Sequence, residues 1–165
     1  MGTRPYRKGG VEVADDLERR VTLIEDRTAI SELRALYCFL VDQGRAPEAV
    51  DLFTDDGEFH GPLTSYRGRE AQLSHYDEHP MSGSMWHYIF NEIIHIDGNS
   101  ATGQCYCYMP CVVKGESYVC SCQYDDILLK QEGRWRFKSR TVTFHFFVPL
   151  KDGWAGERVQ FFSQN

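Results

Sequence analysis

Four long runs between residues 86 and 148 constrain the fold more than any other feature. Residues 86–97, 101–113, 118–130 and 134–148 are rich in β-branched and aromatic side chains, the composition of strands that pack a half-buried sheet. Asp97-Gly98-Asn99, Lys114-Gly115-Glu116 and Glu132-Gly133 separate them, and connections of this kind close antiparallel hairpins. A turn at Lys114-Gly115 sets Cys107 opposite Cys122 and Met109 opposite Cys120. Such a meander has an apolar face that something must cover.

The first half supplies the cover. From Asp15 to about Gln43 the pattern is helical, with Leu17, Val21 and Ile24 on one stripe and Ile30, Leu33, Tyr37 and Leu40 on another. Thr22 and Glu25 fit a capping box and Asp26 could cap a second start, so a break near residue 25 is expected. Gly44 stops the helix and Pro47 opens a short one through Phe53. A short strand over 58–61 and a helix over about 70–79, ended by Pro80, complete the half. Residues 1–13 read as a flexible head, and residues 14–165 as one α+β domain, its curved antiparallel sheet wrapped around N-terminal helices.

Charge narrows the function. With 18 basic and 24 acidic residues the net charge is −6, which argues against nucleic acid or an anionic membrane as partner, since both call for a basic patch. No run approaches the ~20 apolar residues of a membrane span, and the N-terminus lacks a secretory apolar stretch. A cytoplasmic protein is expected, its six cysteines thiols.

The residues that suggest chemistry are Asp42, at the end of the long helix, and His87, in Trp86-His87-Tyr88-Ile89-Phe90-Asn91. A carboxylate beside an imidazole fixes its tautomer and frees the other ring nitrogen to move a proton. Strand alternation puts His87, Ile89, Asn91 and Ile93 on one face. Arg140 shares a face with Val142, Phe144 and Phe146 at the start of an apolar stretch, where a cation could hold a leaving group or an oxyanion. Tyr37 stands about 140° from Asp42 on a helical wheel, and Cys38 lies nearer the carboxylate. Asn91, Trp86, Tyr124 and Phe144 are candidates for the substrate-binding wall.

Each has a plainer reading: a packed core histidine, a solvated helix-end acid, an arginine on a charged face. Two Cys-x-Cys pairs on adjacent strands, and His75 with His79, are weak metal candidates, because structural zinc prefers Cys-x₂₋₄-Cys on turns. The cysteines fit polarizable packing better. No phosphate loop, Gly-x-Ser-x-Gly elbow or cysteine–histidine nucleophile pattern is present. Cofactor-independent acid–base chemistry remains, with no metal or cofactor expected.

Taken in order, Arg27…Ile30…Leu33…Tyr37…Asp42, Asp51-Leu52-Phe53-Thr54-Asp55-Asp56, Tyr66-Arg67-Gly68, His87…Asn91…Ile93…Asp97-Gly98…Ala101 and Gly133-Arg134-Trp135…Arg140 resemble the SnoaL-like family of the nuclear-transport-factor-2-like superfamily. The resemblance covers about residues 17–154 and implies a cone-shaped α+β fold. Asp42, His87 and Arg140 are spaced as in hexachlorocyclohexane dehydrochlorinase, with Tyr37 where that enzyme has a lysine. A tyrosine and an aspartate five apart also resemble bile-acid 7α-dehydratase, and scytalone dehydratase pairs tyrosines with histidines in a similar cone.

The resemblance implies a lyase, a dehydratase above all, acting on a small hydrophobic cyclic molecule. Isomerisation or polyketide-type ring closure would use the same dyad. A non-catalytic subunit is the alternative of a different class, since the run from Arg134 to Val142 is similar to the β subunits of ring-hydroxylating dioxygenases. A homo-oligomer, dimer or trimer, is implied through the outer sheet face, with Tyr106 and Tyr108 on it. The apolar tail, with Trp154, Phe161 and Phe162, is expected to cover a pocket mouth or a neighbour.

Overall fold

The computed structural model describes residues 9–78 and 84–156. A 34-residue helix α1 (Gly9–Asp42) leads into α2 (Ala46–Val50), β1 (Phe53–His60), β2 (Ser65–Arg67) and α3 (Gly68–Glu78). The meander β3 (Tyr88–Asp97), β4 (Ser100–Val113), β5 (Glu116–Gln131) and β6 (Arg134–Pro149) follows. The sheet order is β2-β1-β6-β5-β4-β3, antiparallel throughout except that β1 runs parallel to β6. This open, curved sheet behind N-terminal helices is the cone-shaped α+β architecture implied by the sequence.

Helix α1 departs from expectation in two ways. It begins at Gly9, not Asp15, and runs unbroken through residue 25. Helical propensity across Glu18–Ile24 outweighs the capping box, and Asp26 is engaged by the sheet instead. Its carboxylate accepts from Trp135 Nε1 at 2.9 Å and from Lys130 Nζ at 2.7 Å. The second stripe packs against the sheet through Ile30, Leu33, Tyr37 and Leu40, whereas Leu17, Val21 and Ile24 stay exposed. Pro80, His79 and the tail phenylalanines lie outside the described residues; Trp154 stacks on Phe146 at 5.0 Å. β1 is longer than expected, starting at Phe53.

Hairpin registers follow the turns: Cys107 pairs with Cys122 and Met109 with Cys120. β4 alternates almost strictly, with Ala101, Gly103, Cys105, Cys107, Met109 and Cys111 buried. β3 and β6 do not alternate. The register shifts between Phe90 and Ile93, where Asn91 takes φ 57°, and such a bulge reverses the strand's phase. His87 and Ile89 face inward before it; Glu92, Ile94 and Ile96 do so after it, leaving Asn91 and Ile93 on the exposed outer face. The expected common face of His87 and Asn91 is therefore corrected.

On β6 a shift at Lys138 turns Arg140 and Val142 inward, and a second at His145 sends Phe146 to the opposite face from Phe144.

Two apolar clusters fill the interior. One joins Ile30, Leu33, Tyr37 and Leu40 to Phe53, Leu128, Trp135 and Phe137. The other is sulfur-rich, built from Met85, Cys105, Cys107, Met109, Cys111, Cys120 and Cys122 with Tyr124 and Phe147. Among the described residues every cysteine is a free thiol, and no group of three or more His, Cys, Asp or Glu side chains is placed to hold a metal.

Two outcomes test this packing. A Cβ at Gly103 would lie 2.5 Å from Arg34 Nη2 and 2.6 Å from the Ile93 carbonyl oxygen. Gly103→Ala should cost about 1–3 kcal/mol of stability, the range for overpacking a dense core, read by urea denaturation. Burial pushes the Cys105 thiol from 9.0 up to about 11, so above pH 9 the unfolded chain loses that proton first. Stability falls as pH rises through this window, by about 1 kcal/mol from Cys105 alone at pH 10. A melting profile whose alkaline slope is not shallower in Cys105→Ala would contradict it.

Candidate active site

Gly44, at φ 71°, ends α1 in a Schellman turn: Arg45 N–H donates to the Leu40 carbonyl at 2.8 Å and Gly44 N–H to that of Val41 at 3.0 Å. That closure places Asp42 on the last helical turn. Opposite, residues 84–86 run beside the end of β4, with Val112 N–H donating to Ser84 O at 2.7 Å and Trp86 N–H to Pro110 O at 3.2 Å. His87 emerges where this segment meets β3.

The two residues make a double contact. His87 backbone N–H donates to Asp42 Oδ2 at 3.0 Å, and its ring Nδ1 lies 2.5 Å from Oδ1. With Nδ1–H donating to the carboxylate, Nε2 carries the lone pair and is the basic atom. The His87 side chain is 8% exposed and that of Asp42 15%, so water competes little for either partner.

Arg140 lies deeper, fully buried. Its Nε and Nη2 donate to the two oxygens of buried Asp126, at 2.8 and 2.9 Å. Asp126 Oδ2 also accepts Arg34 Nε at 2.9 Å, and Arg34 Nη1 reaches Glu92 at 3.4 Å. The Arg140 guanidinium carbon sits over the rings of Phe137, Tyr124 and Tyr37, 4.1, 4.4 and 4.5 Å from their centroids. Arg140 Nη1 is buried without a hydrogen-bond partner. Such an unpaired donor costs stability wherever nothing accepts from it.

Tyr37 Oη lies 2.9 Å from Tyr76 Oη of α3. Burial holds Tyr37 well above 10.0 and raises Tyr76, while Arg140 pulls both the other way. Burial likewise raises the Cys38 thiol, which stands in the fields of both Asp42 and Arg140.

Of the expected site residues, the structure joins Asp42 to His87 and gathers Tyr37, Tyr124 and Arg140 into a second group. Phe144 is half-buried and stacked on Phe147 at 5.8 Å. Trp86 is largely exposed next to His87, and Asn91 points outward. The reading of the sequence missed Tyr76, Arg34 and Asp126. Asp126 carried a signal, since strand alternation sets it between inward Tyr124 and Leu128; Arg34 falls on the Ile30–Tyr37 face. Two surface recesses, one beside Phe53 and Trp135 and one over Gly103 on the outer face, lie away from the dyad.

Comparison with known proteins identifies the family. The model of the SnoaL-like domain matches residues 22–141. An uncharacterized protein of Mycobacterium tuberculosis, Rv2910c, is 26% identical over 129 residues, covering 74% of this chain and 88% of its own. Among solved structures, Rv3472 of M. tuberculosis, of unknown function, is 27% identical with a TM-score of 0.68, covering 74% and 78% of the two chains. Hexachlorocyclohexane dehydrochlorinase LinA-type3 of Novosphingobium barchaimii superposes at TM-score 0.72 with 21% identity, over 87% and 97%, a likeness of fold. With the family model spanning most of its length, this chain belongs to the SnoaL-like domain family.

Proposed function

We propose that the protein is a cofactor-independent carbon–oxygen lyase, a dehydratase, acting on a small hydrophobic cyclic substrate. The observation that carries this reading is the double hydrogen bond from His87 to Asp42. It leaves Nε2 as the basic ring nitrogen, on a residue flanked by Met85 and Ile89, which pack into the apolar, thiol-rich cluster.

His87 Nε2 takes a proton from the carbon next to an activating carbonyl. Asp42 holds the ring and stabilises the imidazolium that forms. Arg140 Nη1 or the Tyr37 hydroxyl binds the oxygen where negative charge builds. The resulting carbanion or enolate expels the neighbouring hydroxyl, which leaves as water with the proton returned by the imidazolium. General base catalysis of this kind contributes about 10²–10⁴-fold and an oxyanion donor about 10²–10³-fold. Isomerisation or ring closure would begin with the same proton abstraction. The neighbour of like fold is named a hexachlorocyclohexane dehydrochlorinase, a name that describes loss of hydrogen chloride, and elimination is the reaction class proposed here.

The test pairs kinetics with spectroscopy. Cyclic β-hydroxy ketones are screened for loss of water, and His87→Gln and Asp42→Asn are compared with wild type. Each variant should lower kcat/KM by about 10²–10⁴-fold with unchanged circular dichroism. A short Nδ1–H···O bond should give a strongly downfield proton resonance that disappears in Asp42→Asn. Turnover at the wild-type rate in both variants would remove the dyad from the chemistry.

A further inference from the structure

Two guanidinium nitrogens in the interior, Arg140 Nη1 and Arg34 Nη2, are buried without a hydrogen-bond partner. Asp126 accepts from Arg140 Nε and Nη2 and from Arg34, so both of its oxygens are engaged. Arg140 Nη1, held on the far side of that guanidinium, has no acceptor. Tyr37 and Tyr76 are neutral hydroxyls, because burial raises both phenols above 10.0 despite the opposing Arg140 charge. Two hydroxyls own two hydrogens, and their mutual 2.9 Å bond uses one. Neither hydroxyl makes a second hydrogen bond among the described residues.

The charged groups around this spot are all engaged. Glu92 accepts from Ser31 and Arg34, and Asp42 is occupied by His87. What remains is the neutral thiols Cys38 and Cys107, raised mainly by burial and by a hydrogen bond to Cys122 respectively, and the rings of Tyr124 and Phe137. A guanidinium N–H and a phenol O–H without acceptors, walled by rings and sulfur, suit an anionic oxygen attached to a flat ring.

We propose that Tyr76, Tyr37 and Arg140 Nη1 form one subsite for an ionised ring oxygen, either the phenolate of a hydroxyaromatic or the enolate of a cyclic ketone. The assignment rests on the functional reading above and adds to it a residue, Tyr76, and a ligand class. Tyr76 comes from α3 and is half-buried, Tyr37 is nearly buried and Arg140 fully so. The donors thus differ in depth, with Tyr76 nearest the surface and Arg140 innermost.

The probe is 4-nitrophenol, whose phenolate absorbs apart from the neutral form, with nitrobenzene as the same ring without a hydroxyl. Both are titrated into the full-length wild type and into Tyr76→Phe, Tyr37→Phe and Asp42→Asn, at a pH where free 4-nitrophenol is mostly neutral. Wild type should bind the phenolate and bind it more tightly than nitrobenzene. Tyr76→Phe, which keeps the ring, should weaken the phenolate by about 10- to 100-fold, the effect of one hydrogen bond to a charged acceptor, and leave nitrobenzene unchanged. Equal affinity of wild type for the two ligands, phenol bound in its neutral form, or undiminished binding by Tyr76→Phe would overturn the proposal. Asp42→Asn separates the two readings: phenolate binding survives there even if elimination is lost, because the subsite does not use the dyad.

Discussion

A single buried carboxylate organises this molecule. Asp126, on β5, takes one guanidinium from α1 and another from β6, all three side chains removed from water. Burial of this kind costs ionic groups several kcal/mol each, and only close, fully hydrogen-bonded geometry offsets it. The helix must therefore dock so that Arg34 reaches Asp126, and Gly103 must carry no side chain for Arg34 to pass. The same bonds orient Arg140: once Nε and Nη2 are committed to Asp126, Nη1 has no acceptor of its own. The position of the site's cation follows from an ion pair that secures the helix to the sheet.

Register shifts distribute the remaining chemistry. A regular β3 would carry Asn91 inward and Glu92 outward, and Arg34 would lose its second acid. The bulge at Asn91 keeps His87 facing the interior and also turns Glu92 towards Ser31 and Arg34. On β6, the shift at Lys138 lets Trp135 and Phe137 share the interior with Arg140, although they differ in parity. Bulges beside a site re-aim side chains at the cost of a ladder bond. Here they allow one sheet face to hold a packed core at one end and to present His87 to Asp42 towards the other.

The dyad and the cation sit on separate foundations. Asp42 depends on the Schellman turn that ends α1, His87 on the segment beside the end of β4, and Arg140 on the buried ion pair. Cys38, one turn before Asp42, stands in the fields of both Asp42 and Arg140. This arrangement suits a family whose fold accommodates many activities. The sulfur-rich cluster fits the same pattern: burial raises its thiols, which pack among apolar and aromatic side chains.

The sequence by itself determined the α+β class, the four long strands, the hairpin registers and the pairing of Cys107 with Cys122, since alternation and turn residues act over neighbouring positions. It also pointed to Asp42 and His87, because a polar residue at the end of an apolar pattern is visible without knowing the fold. It misplaced Asn91 and Phe146, since a one-residue bulge reverses every later side chain and leaves only a weak local mark. It overlooked Tyr76, Arg34 and Asp126, whose meaning lies in partners 39, 92 and 14 residues away. Only the tertiary structure decides such contacts, because whether a buried charge is neutralised depends on which distant element is brought against it.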